Sequence, residues 1–116
     1  MDTNGHTILS EDYCSYEVAK LLKEKGMDKS CFKHYVQKNN NDGTSEAVTV
    51  CTHQMAMKWL REVHNIAIDT EWEHLWYVYV KPMTANPFED DYCQCFSAKY
   101  EEAVEAALKY SLENLI

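Results

Sequence analysis

Two extended runs a few residues apart constrain this chain most: Ile66-Ala67-Ile68-Asp69-Thr70-Glu71 and Leu75-Trp76-Tyr77-Val78-Tyr79-Val80. Side chains alternate between faces along a strand, so the loop joining two paired strands decides which residues share a face. A two-residue turn at Glu73-His74 sets Asp69 opposite Val78 and Glu71 opposite Trp76. It also asks for positive φ at Glu and His, where Asn-Gly or Gly-X is usual. A three-residue loop, Trp72-Glu73-His74, reverses the parity. Ile66, Ile68 and Thr70 then share one face with Val80, Val78 and Trp76. Ala67, Asp69 and Glu71 share the other with Tyr79, Tyr77 and Leu75. This arrangement separates an apolar face from a mixed one, so the odd loop is expected. The apolar face is core. Leu75, Tyr77 and Tyr79 on the other are the candidate binding residues, placed to meet a partner or another part of the chain.

Helical periodicity brackets the hairpin. A first helix is expected from about Tyr13 to Lys25, capped by Asp12 or Ser15, with Val18, Leu21 and Leu22 on one face. Gly26 stands where a left-handed residue ends a helix, and Met27 folds back onto the last turn. A second helix, capped by Thr52, is expected over 53–64 with Ala56, Trp59, Leu60 and Val63 as its apolar stripe. Ser97 is expected to cap a third, roughly Ala98 to Leu115. Its stripe is Tyr100, Ala103, Val104, Ala107, Leu108, Ser111, Leu112 and Leu115, with Glu101, Glu102, Glu105, Lys109 and Glu113 facing water. Strands are expected at 31–37 and 47–50, joined by the turn cluster Asn39-Asn40-Asn41-Asp42-Gly43, and a short one at Cys93-Gln94-Cys95-Phe96. Pro82 ends the second hairpin strand by removing a donor.

These elements predict an α+β fold, with three helices packed on one four- or five-stranded antiparallel or mixed sheet. Residues 1–9 read as a flexible tail and residues 10–116 as one domain. The expected core is Val18, Leu22, Trp59, Leu60, Val63, Ile66, Ile68, Val78, Val80, Val104, Leu108 and Leu112.

Charge and cysteine usage narrow the function classes. The net charge is −8, with residues 20–38 at +4 against an acidic remainder. Such a chain is a poor general binder of phosphate backbones, so nucleic acid is not the expected partner. The lysine-rich segment reads as a solvated helix face and turn rather than a basic patch. No apolar run approaches the roughly 20 residues of a membrane span, and the N-terminus lacks the pattern of a signal peptide. Five scattered cysteines fit free thiols in a reducing cytoplasm.

Three blocks carry a resemblance. They are Ser10-Glu11-Asp12-Tyr13-Cys14-Ser15-Tyr16-Glu17-Val18-Ala19-Lys20-Leu21-Leu22-Lys23-Glu24-Lys25-Gly26, Met57-Lys58-Trp59-Leu60-Arg61-Glu62-Val63-His64-Asn65-Ile66, and Tyr100-Glu101-Glu102-Ala103-Val104-Glu105-Ala106-Ala107-Leu108-Lys109-Tyr110. From Ser10 onward the chain resembles a group of small uncharacterised proteins encoded by bacteriophages and mobile elements of gut Bacteroidales. The resemblance implies a bacterial cytosolic setting, in a phage or prophage; separately, a host or phage protein is the expected partner. The resemblance brings no activity, because the blocks are helix sequences rather than catalytic motifs.

The remaining residues offer several candidate chemistries. Histidines 34, 53, 64 and 74 offer bases to five cysteines, but no pairing forms a nucleophile motif, and small buried thiols are the simpler reading. Cys51-x-His53 with Cys93-x-Cys95 is the sharpest metal arrangement, a tetrahedral zinc site if the segments meet. Residues i and i+2 on a strand are roughly 6.6 Å apart, however, and structural zinc sites favour longer spacings. The acidic run Glu89-Asp90-Asp91 lacks the spacing of a calcium loop, and three glycines form no phosphate cradle. Trp59, Trp72, Trp76, Tyr77 and Tyr79 invite a stacking platform for single strands, against which the acidic balance argues. An acidic protein that imitates DNA or blocks a host defence protein is a further reading. No catalytic residue, metal or cofactor is assigned. The expectation is a non-enzymatic accessory or protein-interaction module, with a small-molecule binder or small enzyme as the alternative; His34, His53 and His64 are the residues to inspect for the latter.

Overall fold

The computed structural model describes residues 11–116, and the expected tail over 1–9 lies outside them. The order of elements is α1 (Tyr16–Glu24), β1 (His34–Asn39), β2 (Ser45–Val50), α2 (His53–His64), β3 (Ile66–Trp72), β4 (Trp76–Pro82), β5 (Cys93–Ser97) and α3 (Tyr100–Asn114), with a 3-10 turn at Lys29–Cys31. The fold is α+β. The strands do not form the single sheet expected from sequence. β1 and β2 make an antiparallel hairpin of their own, and β3, β4 and β5 form a separate antiparallel sheet in that order.

The free edge of β2 shows why the two sheets do not join. Lys23 Nζ on α1 donates to the Thr49 carbonyl at 2.8 Å. One step along, the Cys14 N–H donates to the Cys51 carbonyl at 2.9 Å, and the His53 N–H donates to the Asp12 carbonyl at 2.8 Å. The Thr49 acceptor that another strand would need is taken, and the backbone just beyond β2 is already paired with the segment before α1.

Helix ends follow local chemistry. Ser15 is the N-cap of α1, its Oγ accepting from the Val18 N–H, so the helix starts three residues later than Tyr13. At the other end the Met27 N–H reaches the Leu22 carbonyl and the Gly26 N–H the Lys23 carbonyl. With Gly26 at φ +97°, this is a Schellman termination. Thr52 caps α2 through the Met55 N–H, and left-handed Asn65 ends it. Ser97 does not cap α3. It closes β5, and its hydroxyl donates to Glu102 while Lys99 takes the N-cap position.

The core lies between the helices and one face of β3–β5. Val18, Leu22, Leu60, Ile66, Val78, Val80, Val104, Leu108 and Leu112 are buried as expected, and Trp59 and Ile68 are half-buried against them. Val63 is a correction: it is 57% exposed. The buried stripe of α2 is His53, Ala56, Met57 and Leu60. That face is rotated by roughly 60° from the expected one, toward Met57 and away from Val63. Among the described residues no helix is long and apolar enough to cross a membrane.

Candidate functional site

The β3–β4 hairpin has the expected parity with a register shifted by two. Ile68 lies opposite Val80, Thr70 opposite Val78 and Trp72 opposite Trp76, so the three-residue loop is Glu73-His74-Leu75. His74 takes the left-handed conformation there, at φ +66°, which lets the loop close. Leu75 is therefore a half-buried turn residue rather than part of the strand.

The alternation of β4 gives its two faces different fates. Val78 and Val80 are fully buried toward the helices, and Trp76 meets Tyr100 of α3 edge-on at 4.9 Å. Tyr77 and Tyr79 stand on the opposite face, only half-buried. β5 extends that face. Phe96 lies opposite Tyr77, their rings 6.1 Å apart, and is 65% exposed. Gln94 lies opposite Tyr79. From β3, Asp69 faces Tyr79 and Glu71 faces Tyr77. The result is a strip of Tyr77, Tyr79 and Phe96 with a carboxylate rim.

Electrostatics on this face are lopsided. Lys81 Nζ sits 3.1 Å from Asp69 Oδ2 and 5.3 Å from the centre of the Tyr79 ring. Its pKa is raised, first by the hydrogen bond to Asp69. Glu71 and Glu73 have no ion-pair partner among the described residues. The Tyr79 hydroxyl is held above its ordinary value, first by desolvation and then by the fields of Glu71, Tyr77 and Glu73. One compensated pair and two free carboxylates leave the face negative.

A second feature is an open cleft of about 500 Å³ between α2 and the segment running from the 3-10 turn into β1. Gln54, Lys58 and Arg61 recur at i, i+4 and i+7 and form one wall. Lys33 and His34 face them, with Glu11 and Thr52 also lining the space. His34 is steadied by the Tyr13 ring at 4.5 Å. Lys58 makes only a 3.8 Å exposed pair with Glu62, and Lys33 and Arg61 pair with no acid among the described residues. In an acidic chain the cleft gathers cations. Of the lysine-rich segment only Lys33 enters it. Lys23 binds Thr49, and Lys38 sits 3.4 Å from Glu46 and over the Tyr16 ring.

The histidines proposed as site candidates have separate surroundings. His34 lines the cleft. His53 is buried at the start of α2, with Nε2 3.1 Å from Glu105 Oε1. Glu105 also accepts from the Ser15 backbone N–H at 2.6 Å and from the Ser15 hydroxyl at 3.2 Å. This carboxylate, expected to face water, instead ties α3 to the starts of α1 and α2. His64 packs edge-on against Trp59 at 4.6 Å. All five cysteines are free thiols. Cys51 lies 3.8 Å from Cys14, and Cys93 lies 3.7 Å from Cys95. The four zinc candidates are not gathered, and among the described residues no group of three or more His, Cys, Asp or Glu side chains is placed to hold a metal.

Phe96 was missed as a surface residue. Its signal was its register opposite Tyr77, which requires knowing that β5 pairs with β4. The Cys14–Cys51 and His53–Glu105 contacts span 37 and 52 residues and leave no local trace. No family model matches the chain, and neither the curated proteins nor the solved structures contain a match.

Proposed function

We propose that this chain is a non-enzymatic accessory or protein-interaction module of a bacteriophage or mobile element, acting in the bacterial cytosol. Its partner is a host or phage protein that presents a basic surface to the open face of the β3–β5 sheet. The observation that carries this reading is the placement of Tyr77, Tyr79 and Phe96 on a face that no helix among the described residues covers. Aromatic side chains supply large contact area at low entropy cost, and tyrosine keeps a polar end for hydrogen bonding. Glu71 and Glu73 set the sign of the partner. They also disfavour the two obvious competitors: a second copy of this face carries the same negative rim, and a nucleic-acid backbone is itself an anion.

The test is capture from host cytosol with wild type, with Tyr77→Ser/Tyr79→Ser, and with Glu71→Lys/Glu73→Lys. Glu71 and Glu73 are exposed, so the charge reversal should leave the thermal midpoint unchanged; Tyr77 and Tyr79 are half-buried, so a thermal scan sets a capture temperature at which the aromatic variant is folded. A specific partner is expected to be lost with the aromatic variant and weakened by the charge reversal, with a dependence on salt. A partner held equally by all three chains removes this face from consideration.

The cationic cleft favours a second reading, a binder of a small anion. Lys33, His34, Lys58 and Arg61 converge on a space large enough for a phosphorylated or carboxylated metabolite. Titration with a small phosphate monoester, followed by amide shifts in Lys33, His34 and residues 54–61, tests it. Shifts confined to the cleft and abolished in Arg61→Ala would move the balance to this reading.

A further inference from the structure

We propose that Cys14 and Cys51 form a peroxide-oxidisable dithiol whose closure to a disulfide clasps the segment before α1 onto the junction between β2 and α2. The two sulfurs lie 3.8 Å apart although the residues are 37 apart in sequence. Their backbones are already aligned for a cross-link. Tyr13 and Thr52 form an antiparallel bridge, and the Cys14 N–H donates to the Cys51 carbonyl at 2.9 Å. Cys14 and Cys51 are therefore a directly opposed pair, for which Cα atoms are roughly 5.5 Å apart. That is the middle of the range a disulfide spans, so closure needs side-chain rotation and little backbone movement.

The other thiols are less suited. Cys93 and Cys95 are also close, at 3.7 Å, but they are i and i+2 on one strand. Their Cα atoms are roughly 6.6 Å apart along an extended backbone, and bridging them requires β5 to buckle out of its pairing with β4. Cys31 has no sulfur neighbour among the contacts of the described residues.

The Lys23 ammonium, held on the Thr49 carbonyl two residues away, favours Cys51 as the attacking sulfur. The sulfur–sulfur contact with Cys14 holds the Cys51 thiol below its ordinary pKa, with a further contribution from Lys23. Cys14 is pushed the other way, by that same contact and by burial. Both residues are buried, which selects a small oxidant over a bulky disulfide. The Cys51 thiolate attacks one oxygen of hydrogen peroxide, forming the sulfenic acid and releasing hydroxide, which takes up the thiol proton as water. The Cys14 sulfur then attacks Cys51, the S–O bond breaks, and a second water leaves with the Cys14 proton. Two thiols and one peroxide give one disulfide and two waters. Glu11 and Thr52, on either side of the clasp, line the cationic cleft, so the oxidised clasp fixes one wall of that space.

The experiment is peroxide treatment of the reduced full chain, alkylation of remaining thiols, and peptide mass mapping, with a thermal scan of the same samples. The expected product is a Cys14–Cys51 cross-link that has lost two hydrogens, with Cys31 alkylated. The thermal midpoint should rise by about 10 °C and return on reduction with a phosphine. Cys14→Ala and Cys51→Ala should each lose the cross-link and the rise together. Because a buried alanine can destabilise by itself, the comparison is oxidised against reduced within each variant. Cys14 and Cys51 remaining alkylatable while other cysteines oxidise overturns the proposal. So does a cross-link that leaves the midpoint unchanged or lowers it, or a rise that persists in either variant.

Discussion

Glu105→Ala should destabilise this protein more than any other change to a charged residue of α3. The side chain is one-quarter exposed and makes three hydrogen bonds: two to Ser15 and one to His53 Nε2. The Ser15 donors lie at the surface, where water replaces the lost acceptor, so their deletion costs little. His53 is different. It is 2% exposed, and its Nδ1 already has no partner among the described residues. Removing Glu105 leaves both ring nitrogens without a protein partner in a buried position. A hydrogen bond to a charged group is worth roughly 1.5–3 kcal/mol, and a buried polar atom left alone costs a similar amount. With the partial exposure of Glu105 discounting the charge term, the expected loss is about 2–3 kcal/mol. That corresponds to a fall in Tm of roughly 8–12 °C for a domain of this size. Urea unfolding at pH 7 measures it, with an unchanged m-value showing that the two-state comparison holds. Glu113→Ala, an exposed glutamate near the other end of the same helix, is the control and should stay within about 0.5 kcal/mol. If Glu105→Ala and Glu113→Ala cost the same, the carboxylate does not tie the three helices together and the reasoning fails.

Further outcomes follow from the same structure. Leu60→Ala and Leu108→Ala, both fully buried, should each cost about 2–5 kcal/mol in urea unfolding. Val63→Ala, at 57% exposure, should change stability by less than about 0.5 kcal/mol, and a core-sized loss would restore the stripe expected from sequence. Gly26→Ala meets no atom within 4 Å but must adopt φ +97°, so a loss of about 1 kcal/mol by backbone strain alone is expected in thermal unfolding. Asp28 and Asp42 are held below the ordinary aspartate value of 3.8 by hydrogen bonds from Ser30 and Thr44 respectively. Their depressed folded pKa values stabilise the fold above 3.8, and this contribution is lost as pH falls through those values. Carboxyl carbon titrations by NMR should therefore give both midpoints below 3.8.

Local chemistry was legible where a few neighbouring residues decide the outcome. Gly26 and Met27 announce the end of α1, Thr52 the start of α2, and the face separation of Ile66, Ile68, Val78 and Val80 the parity of the hairpin. The stripe of α3 survived because its small and branched residues cluster on one side over four turns. Two kinds of feature were not legible. The first is rotation about a helix axis. Val63 and Met57 are both apolar, and only the position of α2 over β3 decides which one is buried. The second is long-range polar pairing. Nothing near Glu105 distinguishes it from Glu101 or Glu102, because its role is set by His53 and Ser15 from distant parts of the chain. The candidate site fell between these limits. Tyr77 and Tyr79 follow from strand parity alone, Leu75 was displaced into the turn by a two-residue register shift, and Phe96 required a strand pairing that sequence does not specify.

The split into two sheets accounts for both surfaces that the protein leaves open. A sheet of five strands would spread three helices across one broad face. Here the helices are divided: α1 packs beside β2, α2 beside β3, and α3 across β3, β4 and β5. Among the described residues none remains for the second face of the larger sheet, so the alternation that buries Val78 and Val80 exposes the ring of Phe96 and leaves Tyr77 and Tyr79 half-covered. The separate hairpin has the complementary effect. Because β1 pairs only with β2 among the described residues, the segment that leads into it stands across a gap from the outward stripe of α2. Lys33 and His34 then face Lys58 and Arg61 over open space instead of being dispersed on a solvated surface. An aromatic face with an acidic rim and a cleft lined with cations thus arise from one topological choice, the capture of the β2 edge by Lys23 and Cys14.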